Sequence, residues 1–127
     1  MARAAADKRR RASRPDVPAG QIAPSRIRSA ALGNERAIWV YAPPGYSEAG
    51  PPAQLLFLFD GAAYLQAIPA PATLDALLAN GRIAPTLAVL IDSLDEDTRD
   101  RELLCYAPTV EFLAGELLPW VRARWNV

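Results

Sequence analysis

The stretch Gln54-Leu55-Leu56-Phe57-Leu58-Phe59-Asp60-Gly61 contains five consecutive large apolar residues that stop at an acid and a glycine. A strand with one face in water alternates apolar and polar side chains. A short uninterrupted apolar run between turn residues is typical of a parallel strand covered on both faces. Pro51-Pro52 comes before this run and Asp60-Gly61 comes after it. The stretch therefore predicts a buried parallel strand of an α/β sheet.

The residues directly after this strand are the first candidate site residues. Ligands of open α/β sheets bind beyond the carboxyl ends of the strands, which is where Asp60, Gly61 and Ala62 lie. Gly61 would let the backbone approach a substrate, and the backbone amides of Gly61 and Ala62 would point at a developing oxyanion. The alternative interpretation is a plain turn that ends the strand.

A second parallel strand is predicted further along the chain. Leu87 to Ile91 is another short apolar run, and it closes on Asp92. Between the two runs, Thr73 to Asn80 has leucines at the spacing of one helix face, and Gly81 follows as a left-handed terminator. This order predicts two parallel strands joined by a right-handed helical crossover.

The flanking segments complete the predicted fold. Gln21 to Leu32 and Arg36 to Tyr41 alternate at the two-residue period of a strand, and the Gly33-Asn34 turn between them predicts a hairpin. Thr109 to Trp125 carries an apolar stripe that predicts a helix kinked at Pro119. The fold class is therefore α/β, with antiparallel first strands leading into a parallel sheet with flanking helices.

Ser93 to Glu102 is predicted to be a charged loop at the carboxyl edge of the sheet. Its Arg99, Arg101 and Glu102 are candidate residues for supporting the site or binding substrate. In that interpretation Asp60 or Glu102 binds one arginine, or an arginine meets an anionic ligand. The alternative is surface ion pairing, which contributes about 0 to 1 kcal/mol.

No catalytic residue is predicted within this chain. It has no histidine, and none of its serines lies in a Gly-x-Ser-x-Gly elbow, so a Ser-His or Cys-His couple cannot form from its own residues. The single cysteine, Cys105, is expected to be a buried small apolar residue. The acidic residues from 92 to 102 lack the spacing of a calcium loop, and neither a metal nor a cofactor is predicted.

Residues 1–20 are predicted to be a disordered lead-in that is basic and rich in proline. Residues 1–14 hold six basic residues and one acidic residue, a net charge of +5, and because the whole chain is neutral the remainder carries −5. The run Lys8 to Arg11 is compatible with nucleic-acid binding, but no aromatic residue or recognition fold accompanies it, so a solvated tail is favoured. No apolar run is long enough to span a bilayer, no secretory signal is recognised, and a cytoplasmic location is expected.

Four segments carry a resemblance to a known family. The segments occur in the same order as in members of that family. They are Glu35-Arg36-Ala37-Ile38-Trp39-Val40-Tyr41-Ala42-Pro43-Pro44-Gly45-Tyr46, Leu55-Leu56-Phe57-Leu58-Phe59-Asp60-Gly61, Arg99-Asp100-Arg101-Glu102-Leu103 and Glu116-Leu117-Leu118-Pro119-Trp120-Val121. The chain resembles, over about residues 15 to 127, the esterases similar to enterochelin (ferric enterobactin) esterase, which belong to the α/β-hydrolase superfamily.

The resemblance implies the front portion of a serine ester hydrolase that acts through an acyl-enzyme when complete. In that family the Gly-x-Ser-x-Gly elbow follows soon after the Glu-Leu-Leu-Pro helix, and the acid and the histidine come later. Residues 21–127 would then be the N-terminal half of an α/β-hydrolase domain, an incomplete three-layer sandwich truncated before the elbow. By analogy, the backbone of Gly61 and Ala62 would contribute to an oxyanion hole for a small-molecule ester. Arg99, Arg101 and Glu102 would have a structural or substrate-side role.

An incomplete sheet also predicts an exposed strand edge. Leu87 to Ile91 or its neighbour would be left unpaired and apolar, and such an edge favours marginal stability and self-association of the isolated chain. The alternative function is a non-catalytic remnant or binding module that uses the half sheet to bind a partner through this edge.

Overall fold

The computed structural model describes residues 16–127, so residues 1–15 of the lead-in predicted over residues 1–20 lie outside the described residues. Four strands form one mixed sheet in the order β1-β2-β4-β3. The strands are β1 (Gln21–Ser29), β2 (Asn34–Ala42), β3 (Gln54–Leu58) and β4 (Thr86–Ile91). The helices are α1 (Gly61–Gln66), α2 (Ala70–Ala79), α3 (Glu96–Leu103), α4 (Ala107–Glu111), a π-helical segment (Phe112–Leu117) and α5 (Leu118–Arg122).

The predicted hairpin is confirmed. β1 and β2 pair antiparallel along their whole length, from Gln21 opposite Ala42 to Ser29 opposite Asn34. Gly33 closes the turn with a φ of +69°, a left-handed conformation that glycine adopts without steric cost. The two-residue period places Ile38 and Val40 of β2 together on one buried face.

The predicted helical connection between two parallel strands is also confirmed. β3 and β4 run parallel with Leu55 opposite Leu87 and Leu58 opposite Leu90, and α1 and α2 connect them. Gly81, predicted as the left-handed terminator, has a φ of +64° two residues after α2 ends.

Within residues 16–127 the edge strands are β1 and β3, and the apolar edge predicted at Leu87 to Ile91 or its neighbour is the neighbour, β3. β4 pairs with β2 on one side and β3 on the other, and all six of its residues are buried. β3 pairs only with β4 in the described chain, and its residues Leu55 to Leu58 are half-buried, although the apolar run predicted a fully covered strand. The physical reason is that β3 has helices near both faces but no strand along its outer side.

Helices cover both faces of the sheet and give three layers. On one face, the helical segments from Ala107 to Arg122 contribute Phe112, Leu117 and Val121 to the core. On the opposite face, α2 contributes Leu74, which packs with Tyr41 and Leu90. No helix within residues 16–127 combines the length and the apolar character that crossing a bilayer requires.

The last helical stretch begins and ends earlier than predicted, and its turn ahead of Pro119, where a kink is predicted, is π-helical. Proline lacks the backbone N–H and clashes with the carbonyl four residues earlier in a regular helix. Here the π-helical segment Phe112–Leu117 ends two residues before Pro119, and the Leu118 N–H donates to the Leu113 carbonyl oxygen five residues back. A wider turn thus accommodates the proline within a nearly continuous helix.

Candidate active site

The site candidates lie where β3 and β4 end at the same edge of the sheet. Asp60 follows β3 with a φ of 56°, and Gly61 begins α1 fully enclosed against β4. A Cβ atom added at Gly61 would lie 2.8 Å from the Ile91 nitrogen and 2.9 Å from the Leu90 carbonyl carbon. Only glycine permits this approach, because any side chain would collide with the β4 backbone. The close contact with β4 accounts for the glycine, and its approach to a substrate stays a prediction.

The Asp60 carboxylate is held by two partners. Arg99 donates from Nε to Oδ1 at 2.6 Å and from Nη2 to Oδ2 at 3.0 Å, which is the bidentate geometry of a strong ion pair. Ser93 donates from Oγ to Oδ1 at 2.7 Å. The Arg99 hydrogen bonds, followed by the Ser93 hydrogen bond, hold the pKa of Asp60 below its usual value. The sequence predicted that Arg99 or Arg101 would pair with Asp60 or Glu102. In the structure, Arg99 pairs with Asp60.

Arg99 reaches Asp60 because the segment predicted to be a charged loop is a helix. α3 runs from Glu96 to Leu103, and the Asp95 carboxylate caps it by accepting from the Thr98 N–H at 2.7 Å. Acids in the first turn and Arg101 in the last turn complement the helix dipole. The loop prediction was wrong because these charges, which are helix-terminus signals, were interpreted as the composition of a loop.

Glu102 does not join Asp60 and Arg99. Its Oε2 accepts from Nη2 of Arg36 at 2.8 Å and from Nδ2 of Asn34 at 3.1 Å. Arg36 and Glu102 are 2% and 4% exposed, so they form a buried ion pair between β2 and α3. Arg36 is not among the residues predicted from the sequence. The sequence feature that could have identified it is the two-residue period of β2, which puts Arg36 on the same face of the strand as the buried Ile38.

Arg101, the remaining predicted residue, is exposed on the last turn of α3. Its charge contributes to lowering the pKa of Asp95, after the larger effect of the hydrogen bonds from Thr98. Cys105 is exposed with a φ of 53°, so the expectation of a buried apolar residue was wrong. It lies two residues after the end of α3, where the chain turns in a left-handed conformation towards α4.

Cavities lie at the other end of the sheet. One of about 270 Å³ lies beside the amino ends of β3 and β4, lined by Pro18, Pro43, Pro44, Asp75, Leu78, Ala79, Ile83 and Pro85. Ligands of such sheets bind at the carboxyl edge, so we place the candidate site at Asp60 and not in this cavity. Among residues 16–127, no three potential His, Cys, Asp or Glu ligands come together in a group that could hold a metal ion.

Comparison with known proteins gives the family. The family model described as putative esterase matches residues 29–127. The chain belongs to this esterase family. Its curated relatives include the iron(III) enterobactin esterase of Dickeya dadantii, which is 36% identical over 92 residues, or 72% of this chain.

Solved structures support the same family and fold. The ferric enterobactin esterase of Salmonella typhimurium superposes with a TM-score of 0.79 and 31% identity over 89% of this chain. A ferulic acid esterase of Anaeromyces mucronatus superposes with a TM-score of 0.72 over 92% of the chain, and at 17% identity that likeness concerns the fold alone. These neighbours are esterases of the α/β-hydrolase fold, which agrees with the predicted fold class.

The match covers a minor part of each relative. This esterase-family chain spans 21% of the Dickeya relative and 28% of the Salmonella chain. The similarity therefore concerns about a fifth to a quarter of the length of these relatives.

Proposed function

We propose that residues 21–127 are the front portion of a serine ester hydrolase that works through an acyl-enzyme when complete. The observation that carries this proposal is the fixed turn at the end of β3. Asp60 is bound by Arg99 and Ser93, and Gly61 is pressed against the backbone of β4. Such a rigid turn is suited to holding backbone N–H groups at a reacting centre.

The proposed role of the turn is to stabilise an oxyanion. When a nucleophile attacks an ester carbonyl, the carbonyl oxygen becomes negatively charged, and two N–H donors in fixed positions lower the energy of that state. The N–H groups of Gly61 and Ala62 belong to the first turn of α1, where backbone donors have no intrahelical acceptor. Because their position is set before the reaction, no reorganisation is needed when the charge develops.

The Asp60–Arg99 pair is assigned a supporting role. An unpaired carboxylate beside an oxyanion would raise the energy of the charged intermediate by repulsion. Arg99 neutralises Asp60, while Ser93 restrains the carboxylate on its other side. Arg101 is exposed and free of the Asp60 pair, which leaves it as the candidate for contact with substrate.

The proposed substrate class is a small-molecule ester. Relatives at 36% and 31% identity are named enterobactin esterases, which favours a siderophore-type ester over other classes. The nucleophile, base and acid of the proposed reaction are assigned to residues outside this chain. A cytoplasmic location and the lack of a cofactor stay predictions from the sequence.

The second candidate is a binding module without catalysis. The unpaired edge of β3 in the described chain favours it, since an exposed edge binds an added strand through main-chain hydrogen bonds.

Hydrolysis of a short-chain aryl ester distinguishes the two functions. The 127-residue chain is compared with a chain extended through the coding sequence that follows Val127. Activity of the extended chain alone supports the esterase portion, and Gly61→Ala in that chain is expected to lower kcat. Activity of the 127-residue chain by itself would contradict the assignment of the nucleophile elsewhere, and two inactive chains would favour the binding module.

A further inference from the structure

Arg36 is a buried arginine on β2 that reaches three other parts of the chain. Its Nη1 donates to the Asp92 carbonyl oxygen at 3.2 Å, just beyond the end of β4. Its Nη2 donates to Oδ1 of Asn34 at 2.7 Å and to Oε2 of Glu102 at 2.8 Å. The guanidinium carbon also lies 5.7 Å from the centre of the Phe112 ring, which restrains it from the helical side.

α3 depends on these polar contacts because it has little apolar surface to bury. Its buried residues are Thr98 and Glu102, and its sequence EDTRDREL contains one large apolar residue. Most surface helices dock through an apolar stripe, which α3 lacks. The Glu102 pair with Arg36 and the Arg99 pair with Asp60 therefore fix where α3 lies on the sheet.

Each partner of Asp60 is adjacent to a residue that Arg36 holds. Ser93 follows Asp92, whose carbonyl oxygen accepts from Arg36. Arg99 precedes Glu102 by three positions, so the two side chains are neighbours on the helix surface. Arg36 is thus the structural link between the two groups that bind the Asp60 carboxylate.

We infer that Arg36 is a positioning residue for the turn at Asp60. Through Asp92 it places Ser93, and through Glu102 it places Arg99, so that both bind the carboxylate that anchors the start of α1. The inference rests on the proposed function only where it treats the turn at Asp60 as part of a catalytic site. The positioning itself is a property of the 127-residue chain and can be measured without any substrate.

The test is the titration of the Asp60 side-chain carboxyl carbon by NMR in the 127-residue chain. Arg99→Gln removes the first partner and defines how far the Asp60 pKa rises when that partner is lost. Arg36→Lys and Glu102→Gln are expected to reproduce most of this rise, although neither residue touches Asp60. Glu35→Gln is the matched control. Glu35 immediately precedes Arg36 in the sequence, and its replacement breaks only an exposed ion pair with Arg26. The Asp60 titration of this variant is expected to stay as in the parent chain.

Asn34→Ala provides a milder variant if loss of a buried ionic group prevents folding. It keeps both charges and removes only the amide that bridges Arg36 and Glu102. We expect Asp60 to titrate at a higher pH in this variant, and the amides of residues 60–66 to exchange faster relative to those of β1 and β2.

A uniform loss of stability with an unchanged Asp60 titration would overturn the inference, because Arg36 would then be a structural residue only. This outcome is distinct from failure of the proposed function. An extended chain without esterase activity leaves the titration result standing. If the extended chain is an active esterase but the Asp60 titration is unchanged in Arg36→Lys and Asn34→Ala, the positioning role alone is refuted.

Discussion

Gly61 lies at the start of the first helix, directly against the backbone of β4. The Cβ of an alanine would lie 2.8 Å from a β4 backbone atom, and backbone cannot move aside as the end of a flexible side chain can. We expect Gly61→Ala to lower the free energy of unfolding by about 1 to 3 kcal/mol, the usual cost of overpacking. Urea unfolding followed by tryptophan fluorescence measures this.

Gly115→Ala is the matched control for Gly61→Ala. Gly115 lies in the π-helical segment, and a Cβ there meets no atom within 4 Å other than the backbone of its own helix. Alanine is favoured over glycine in a helix by about 1 kcal/mol, so this variant should be as stable as the parent or more stable. Equal effects at the two positions would show that the contact with β4 is not what requires glycine at residue 61.

Asp60 makes the stability of the chain depend on pH. Because Arg99 and Ser93 lower its pKa in the folded state, the contribution of Asp60 is complete above the unfolded pKa of about 3.9. It is lost as the pH falls through the lower folded pKa. We expect Asp60→Asn to be less stable than the parent at neutral pH and the two to converge in acid.

The measurement for Asp60 is the urea midpoint of both chains from about pH 7 down to about pH 2. Glu48→Gln, at an exposed position in the loop between β2 and β3, controls for the loss of one negative charge. A constant difference between Asp60→Asn and the parent over this range would contradict an ionic role for Asp60.

α3 carries Arg99, the arginine that binds Asp60, so the candidate site depends on this helix. The N-terminus of α3 is capped by a residue next to it in the sequence. The Asp95 carboxylate accepts from the Thr98 N–H. Replacing a capping residue by alanine costs about 1 kcal/mol, so Asp95→Ala should destabilise α3 and speed amide exchange within Glu96–Leu103. Asp95→Ser keeps a capping oxygen and should restore protection; if serine is as poor as alanine, capping is not the role of residue 95.

The same helix shows what could be predicted from sequence and what could not. The hairpin and the crossover helix were predictable because apolar periodicity reports which face of an element is covered, and β4 because an uninterrupted apolar run reports cover on both faces. α3 has a polar buried face, so periodicity carried no information about it. The Asp60–Arg99 pair was anticipated as one of two pairings for an arginine. The Arg36–Glu102 pair joins residues 66 positions apart, and only the sheet register and the placement of α3 bring them together.

The two edges of the sheet differ across the whole molecule. The β1 edge carries Pro24, Arg26 and Arg28, and proline and charge both discourage the addition of another strand. β3 has the sequence QLLFL, with neither feature. Since the Gln54 N–H donates towards β4, at the Pro85 carbonyl oxygen, the N–H groups of Leu55 and Phe57 point away from the sheet.

We therefore expect the 127-residue chain to self-associate through β3, a prediction that sedimentation velocity over a range of concentrations would test. Gln54→Lys puts a charge at the exposed start of that edge and should shift the chain towards monomer. Gln21→Lys makes the same change at the exposed start of β1 and should leave the association as it is. Association that responds equally to both lysines would place the contact elsewhere. A parent chain that stays monomeric at high concentration would show that the half-buried side chains of β3 are protected well enough by α1, α2 and the C-terminal helical segments.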